Sequence, residues 1–200
     1  MSTVFEPGEY LDRLQRAAQF TQAQEITALL VTPGPDLRYL TGYHAHAVER
    51  LTCLVVPADG PVRLVVPELE LGTAQASPVG ELDVELVTWQ ETEDPYSLTA
   101  RMLGGPGRGD RIAVDDRMWA VKAIELRAAM PEAEQIAAGV VLSELRMRKS
   151  QAEVAQLQFA GAAIDRVHSQ VAGWLRVGRT ENEVARDIAN AISEEHETVD

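Results

Sequence analysis

The sequence predicts an α/β fold: a mixed β-sheet flanked by helices. Three observations predict it. Short apolar runs alternate with segments of helical periodicity, one pair of runs flanks an Asp-Gly loop, and strand patterns stop near Leu142. Alternation calls for helices packed on a sheet, and the Asp-Gly loop makes one strand pair antiparallel, so the sheet is mixed. With 200 residues, 46% hydrophobic and 24% charged, the chain can bury a core without disulfides or metals.

Taken in order, Glu9–Gln22 carries Leu11, Leu14 and Ala18 at helical spacing and predicts an amphipathic helix. Ile26–Val31 is an apolar run ended by Pro33-Gly34-Pro35, which predicts a buried strand and its exit loop. Asp36 is placed to cap a short helical turn through Leu40, with Gly42 stopping it. Leu51–Val56 and Val62–Val66 flank Pro57-Ala-Asp-Gly-Pro61, the hairpin signal. A helix at Glu68–Gln75, a strand at Val84–Trp89, a helix at Tyr96–Leu103 and a strand at Arg111–Asp115 follow. Ala120–Met130 is helical up to Pro131, and Gln135–Ala138 is a further short strand.

Beyond Leu142 two helices have clear starts. Ser150-Gln-Ala-Glu153 and Thr180-Glu-Asn-Glu183 are capping boxes, in which hydroxyl and carboxylate each satisfy a backbone N–H. Between them Val154, Leu157, Gly161, Ile164, His168, Val171 and Leu175 trace one helix face, and Gly178 stands where a C-cap belongs. The domain boundary is placed between residues 142 and 143.

Charge and cysteine usage narrow the function. Eighteen basic against 31 acidic residues leave a net charge of −13, which repels phosphate and argues against nucleic-acid or anionic-membrane partners. No run approaches the ~20 apolar residues of a membrane helix. The N-terminus has no basic segment before an apolar stretch, so it reads as no signal peptide. Cys53 is the single cysteine and sits among Leu51, Leu54, Val55 and Val56. It reads as a core thiol in a reducing, cytoplasmic setting.

Most motifs that could carry chemistry have a plainer reading. Gly104-Gly-Pro-Gly-Arg-Gly109 precedes a strand, whereas a phosphate loop must follow one, so it reads as a surface loop. Asp115-Asp116 could share a proton or a metal, but Asp116 reads rather as the cap of the helix beginning near Met118. His168 reads as a core or interface histidine, and His196, among Glu194, Glu195 and Glu197, as part of a solvated helix end. His44-Ala-His46 has metal-ligand spacing but lacks nearby partners to close a shell. Together with Tyr39, Tyr43, Glu49 and Arg50, these histidines crowd functional side chains into one loop of a rigid frame, where binding residues concentrate.

The order of several segments resembles a known family. Tyr10-Leu-Asp-Arg-Leu14, Ala28-Leu-Leu-Val-Thr32, Asp36-Leu-Arg-Tyr-Leu-Thr-Gly-Tyr43, Glu49–Pro57 and Leu64–Glu70 follow one another as in that family. Leu145-Arg-Met-Arg-Lys-Ser-Gln-Ala-Glu153 and Gly178–Ala185 continue the match. Together they resemble the creatinase/prolidase/aminopeptidase P family of pita-bread metallohydrolases.

The resemblance implies that residues 1–142 are the creatinase/prolidase-type N-terminal α/β domain. Residues 143–200 would be a linker and the opening helices of a truncated pita-bread domain. It implies a metal-dependent Xaa-Pro peptidase that hydrolyses the bond before proline in short peptides, acting as a homodimer or higher homo-oligomer. The alternatives are a creatinase-like small-amide hydrolase and a non-catalytic interaction module. Two divalent ions, manganese, cobalt or zinc, would activate water and stabilise the tetrahedral intermediate in the full-length protein. Their family ligands lie beyond this segment, so no catalytic, cofactor or metal residue is expected in it, Asp200 included. The segment alone is expected to be inactive. Tyr43, His44, His46 and Arg50 are the candidates for substrate-cleft or subunit contact.

Overall fold

In the computed structural model, residues 5–196 are described, except for the side chain of His196. The expectations for His196 and Asp200 lie outside them. The chain packs as two units, Phe5–Met147 and, among the described residues, 148–196.

The first unit is built on β1, Ala28–Val31, whose four residues are all buried. β1 pairs antiparallel with β2, Cys53–Pro57, and parallel with β5, Arg111–Val114. β2 turns into β3, Arg63–Pro67, as the expected hairpin. Gly60, at φ +107°, supplies a backbone conformation that a side chain would strain. β4, Glu85–Trp89, adds parallel to β3, and β6, Glu134–Ala137, parallel to β5. The order β4-β3-β2-β1-β5-β6 is a mixed six-stranded sheet flanked by helices, as the sequence predicts.

Alternate side chains of these strands point to opposite faces, and helices cover both. Leu29, Val31, Leu54, Val56, Leu64 and Val66 join one core. Against it pack α1, Pro7–Ala23, α2, Pro35–Thr41, and α6, Gly139–Met147. Between β3 and β4, α3, Leu71–Gln75, adds Ala74 to that core. Ala28, Leu30, Cys53, Val55, Val65 and Ile112 form the other core, with α4, Pro95–Met102, and α5, Ala120–Ala129. Covering both faces is why the central strands read as unbroken apolar runs rather than as alternating ones.

Three local expectations are corrected. Asp36 does not cap α2: Gly34 holds the cap position with Pro35 at the first turn, and the Asp36 carboxylate pairs with Arg146. Asp116 does not cap α5. Its Oδ1 accepts from Gly139 N at 3.0 Å and so caps α6, a helix that the sequence pattern does not announce. Gly178 is not the cap of α7, Gln151–Trp174. Leu175 is, and Gly178 turns the chain three residues later at φ +94°.

α6 crosses the boundary placed at 142/143, and Leu145 is fully buried in the first unit's core. Gly42 does stop α2, in the left-handed region at φ +70°.

In the second unit both capping boxes form. Ser150 Oγ accepts from Glu153 N at 3.1 Å, and Ser150 N donates to Glu153 Oε2 at 2.7 Å. Thr180 and Glu183 repeat the arrangement at the start of α8, Glu181–His196. The buried residues of α7 are Ala163 and Val167, whereas the predicted stripe, His168 included, is largely exposed. His168 is therefore not a core histidine. No helix among the described residues is long and apolar enough to cross a membrane.

Candidate functional site

Strand directions bring one set of loops together. β1, β3, β4, β5 and β6 all end at the edge of the sheet where β2 begins. That edge gathers residues 32–36, the loop 43–52, Glu68–Glu70, residues 90–93, 115–119 and Gly139. The chain leaves β1 toward β2 on one side and leaves β5 toward β6 on the other. Such a reversal of strand order is where open α/β sheets place ligands.

The four predicted residues do not form one cluster. His44 and His46 are exposed on the loop, with ring centroids 6.2 Å apart. Tyr43 turns inward and is buried in the core beneath them. Burial, and secondarily the Glu70 carboxylate, pushes its hydroxyl pKa up. Arg50 is held at the surface by carboxylates: its Nε donates to Glu91, and Glu49 lies 3.7 Å from its Nη1. Among the described residues, no group of three or more His, Cys, Asp or Glu side chains could hold a metal.

Asp115 and Asp116 also separate, although adjacent in sequence. Asp115 is 4% exposed and accepts from Thr32 Oγ1 at 3.2 Å and from Arg117 N at 2.9 Å. Burial pushes its carboxyl pKa up, opposed by those hydrogen bonds. The Cys53 thiol is likewise pushed up, to about 12, by complete burial, so it stays protonated and unreactive.

Sequence reasoning missed Lys122, Trp89, Glu70 and Glu91, all of which hold the segment 50–52. Lys122 does leave a signal, since it shares a helix face with the buried Leu126 at i, i+4. A lysine on an apolar face is either snorkelling or bonded, and this one is bonded.

Comparisons with known proteins bear on the chain as a whole. The family model of the Creatinase/Prolidase N-terminal domain matches residues 13–148. The probable dipeptidase PepE of Mycobacterium tuberculosis (strain H37Rv) is 43% identical over 188 residues, covering 94% of this chain and 49% of the relative. The crystal structure of dipeptidase PepE from Mycobacterium ulcerans superposes with a TM-score of 0.89 at 44% identity, covering 96% of this chain and 51% of that one. A prolidase from Thermococcus sibiricus shares the fold, with a TM-score of 0.78 at 24% identity over 93% of this chain and 50% of that one. The chain thus spans about half the length of these relatives. It belongs to the creatinase/prolidase N-terminal domain family.

Proposed function

We propose that this chain is the N-terminal portion of a cytoplasmic, metal-dependent Xaa-Pro peptidase. In this reading the domain shapes the substrate cleft for short proline-containing peptides and contributes to a homodimer or higher homo-oligomer. The observation that carries the reading is the match of residues 13–148 to the family's N-terminal domain, joined to 43% identity with a probable dipeptidase about twice as long. The buried, protonated Cys53 is compatible with a reducing compartment.

The described residues supply no ligand set for the two divalent ions that this chemistry uses. No bond-breaking step is therefore assigned to them. What they offer is recognition: Arg50 can present a two-pronged donor to a peptide carboxylate once it leaves Glu91, which lysine would not reproduce.

The full-length gene product tests the reading. It is expected to hydrolyse Xaa-Pro dipeptides, to lose that activity to a chelator and to regain it with manganese, cobalt or zinc. The 200-residue chain alone is expected to be inactive. Hydrolysis of creatine or of non-proline dipeptides alone would overturn the substrate assignment, and no hydrolysis would favour an interaction module. In the same protein Arg50→Ala is expected to lower kcat/KM roughly 10- to 100-fold with the melting temperature unchanged. A fall in melting temperature with kcat/KM intact would make Arg50 structural.

A further inference from the structure

Residues 50–52 approach β2 before its ladder begins at Cys53, yet Leu51 and Thr52 are each 1% exposed. Buried carbonyls without a ladder partner need donors from elsewhere. Three elements supply side-chain bonds here. Trp89 Nε1, at the end of β4, donates to the Leu51 carbonyl at 2.9 Å. Lys122 Nζ, on α5, donates to the Arg50 carbonyl at 2.8 Å. Thr52 Oγ1 donates to Glu70 Oε2 at 3.4 Å.

Lys122 is the costly member, because it is 2% exposed and burying an ammonium is unfavourable unless it is well bonded. Besides the Arg50 carbonyl, its Nζ lies 5.3 Å from the centre of the Trp119 ring. The Cys53 thiol and the Glu70 and Glu49 carboxylates face it through space, while burial, the larger effect, lowers its pKa. Packing alone would be served by a leucine, as at Leu126 on the same face.

We infer that Lys122 is a positioning residue for the loop 43–50. Its ammonium clasps the Arg50 carbonyl from α5 and so aims the Arg50 guanidinium and steadies the segment carrying His44 and His46. The value of this to function rests on the reading that the loop faces substrate; the clasp itself does not.

Lys122→Met keeps the apolar stem and removes the donor, and Lys122→Arg restores a donor. Amide hydrogen exchange by mass spectrometry on this chain is expected to be at least tenfold faster at residues 43–51 in Lys122→Met, unchanged in β1 and β5, and returned toward wild type in Lys122→Arg. Unchanged exchange at 43–51, or an increase spread evenly over β1 and β5, overturns the inference. Should Lys122→Met fail to fold, the wild type decides. The Arg50 carbonyl carbon shift should then titrate with the same midpoint as the Lys122 ε-carbon, below the ordinary lysine range. An Arg50 carbonyl indifferent to that titration overturns the clasp. In the full-length peptidase, faster loop exchange with KM and kcat unaltered would leave the clasp standing and remove the substrate role of the loop.

Discussion

Asp115 shows how the surroundings of one residue set its chemistry. Its carboxyl is buried at the end of β5, and its pKa is raised above 3.8 because burial penalises the charged form more than Thr32 and the Arg117 amide favour it. A group whose pKa is higher folded than unfolded binds its proton more tightly in the native state. Its contribution to stability is therefore present below the ordinary carboxylate range and is lost as pH rises through the raised folded value. Asp115→Asn removes that dependence. The stability of the variant relative to wild type, from urea unfolding, is expected to increase from about pH 4 to pH 7. A constant difference across that range would show that Asp115 titrates normally. Its sequence neighbour Asp116 has turned away, its Oδ1 accepting from Gly139 N. Adjacency in sequence leaves a shared proton or metal open, but the two carboxylates take different partners, Thr32 and the Arg117 amide for Asp115 and the Gly139 amide for Asp116.

At the scale of elements, most helices and strands were legible because their start and stop signals are local. The capping boxes at Ser150 and Thr180, the stop at Gly42 and the Asp-Gly hairpin all act within a few residues. α6 was not legible for the opposite reason: its cap is Asp116, 23 residues earlier in the chain. A Cβ on Gly139 would lie 2.8 Å from Asp116 Oδ2, so the glycine is what lets that carboxylate approach. Asp116→Ala is therefore expected to destabilise the first unit by about 1 kcal/mol, the usual cost of losing a helix cap. The loss should localise to α6 in hydrogen exchange. If the loss appears instead in α5, the sequence-based assignment of Asp116 as that helix's cap was right. The α7 stripe shows a second limit. Periodicity identifies an apolar face, but α7 buries Ala163 and Val167, neither of which lies on the Val154–Leu175 stripe.

At the scale of the molecule, that exposed stripe has a consequence in solution. Val154, Leu157 and Ile164 on one face of α7, and Leu175 at its cap, are 42–65% exposed. Contiguous apolar surface of this kind promotes association. The chain is expected to form oligomers by light scattering, and deletion of the residues after Ser150 is expected to reduce them. A monomer both before and after deletion would contradict this. The sequence by itself determined the mixed α/β class, the hairpin, nearly every element and the family resemblance, because local hydrogen bonding and apolar periodicity are written in consecutive residues. Only the tertiary structure decided which side chains meet. It sent Tyr43 into the core while leaving His44 and His46 outside, tied Arg50 to Glu91, capped α6 from Asp116 and placed Lys122 beneath the loop. Those pairings join residues 23 to 72 positions apart, and they follow from sheet order and strand direction, which no local pattern encodes.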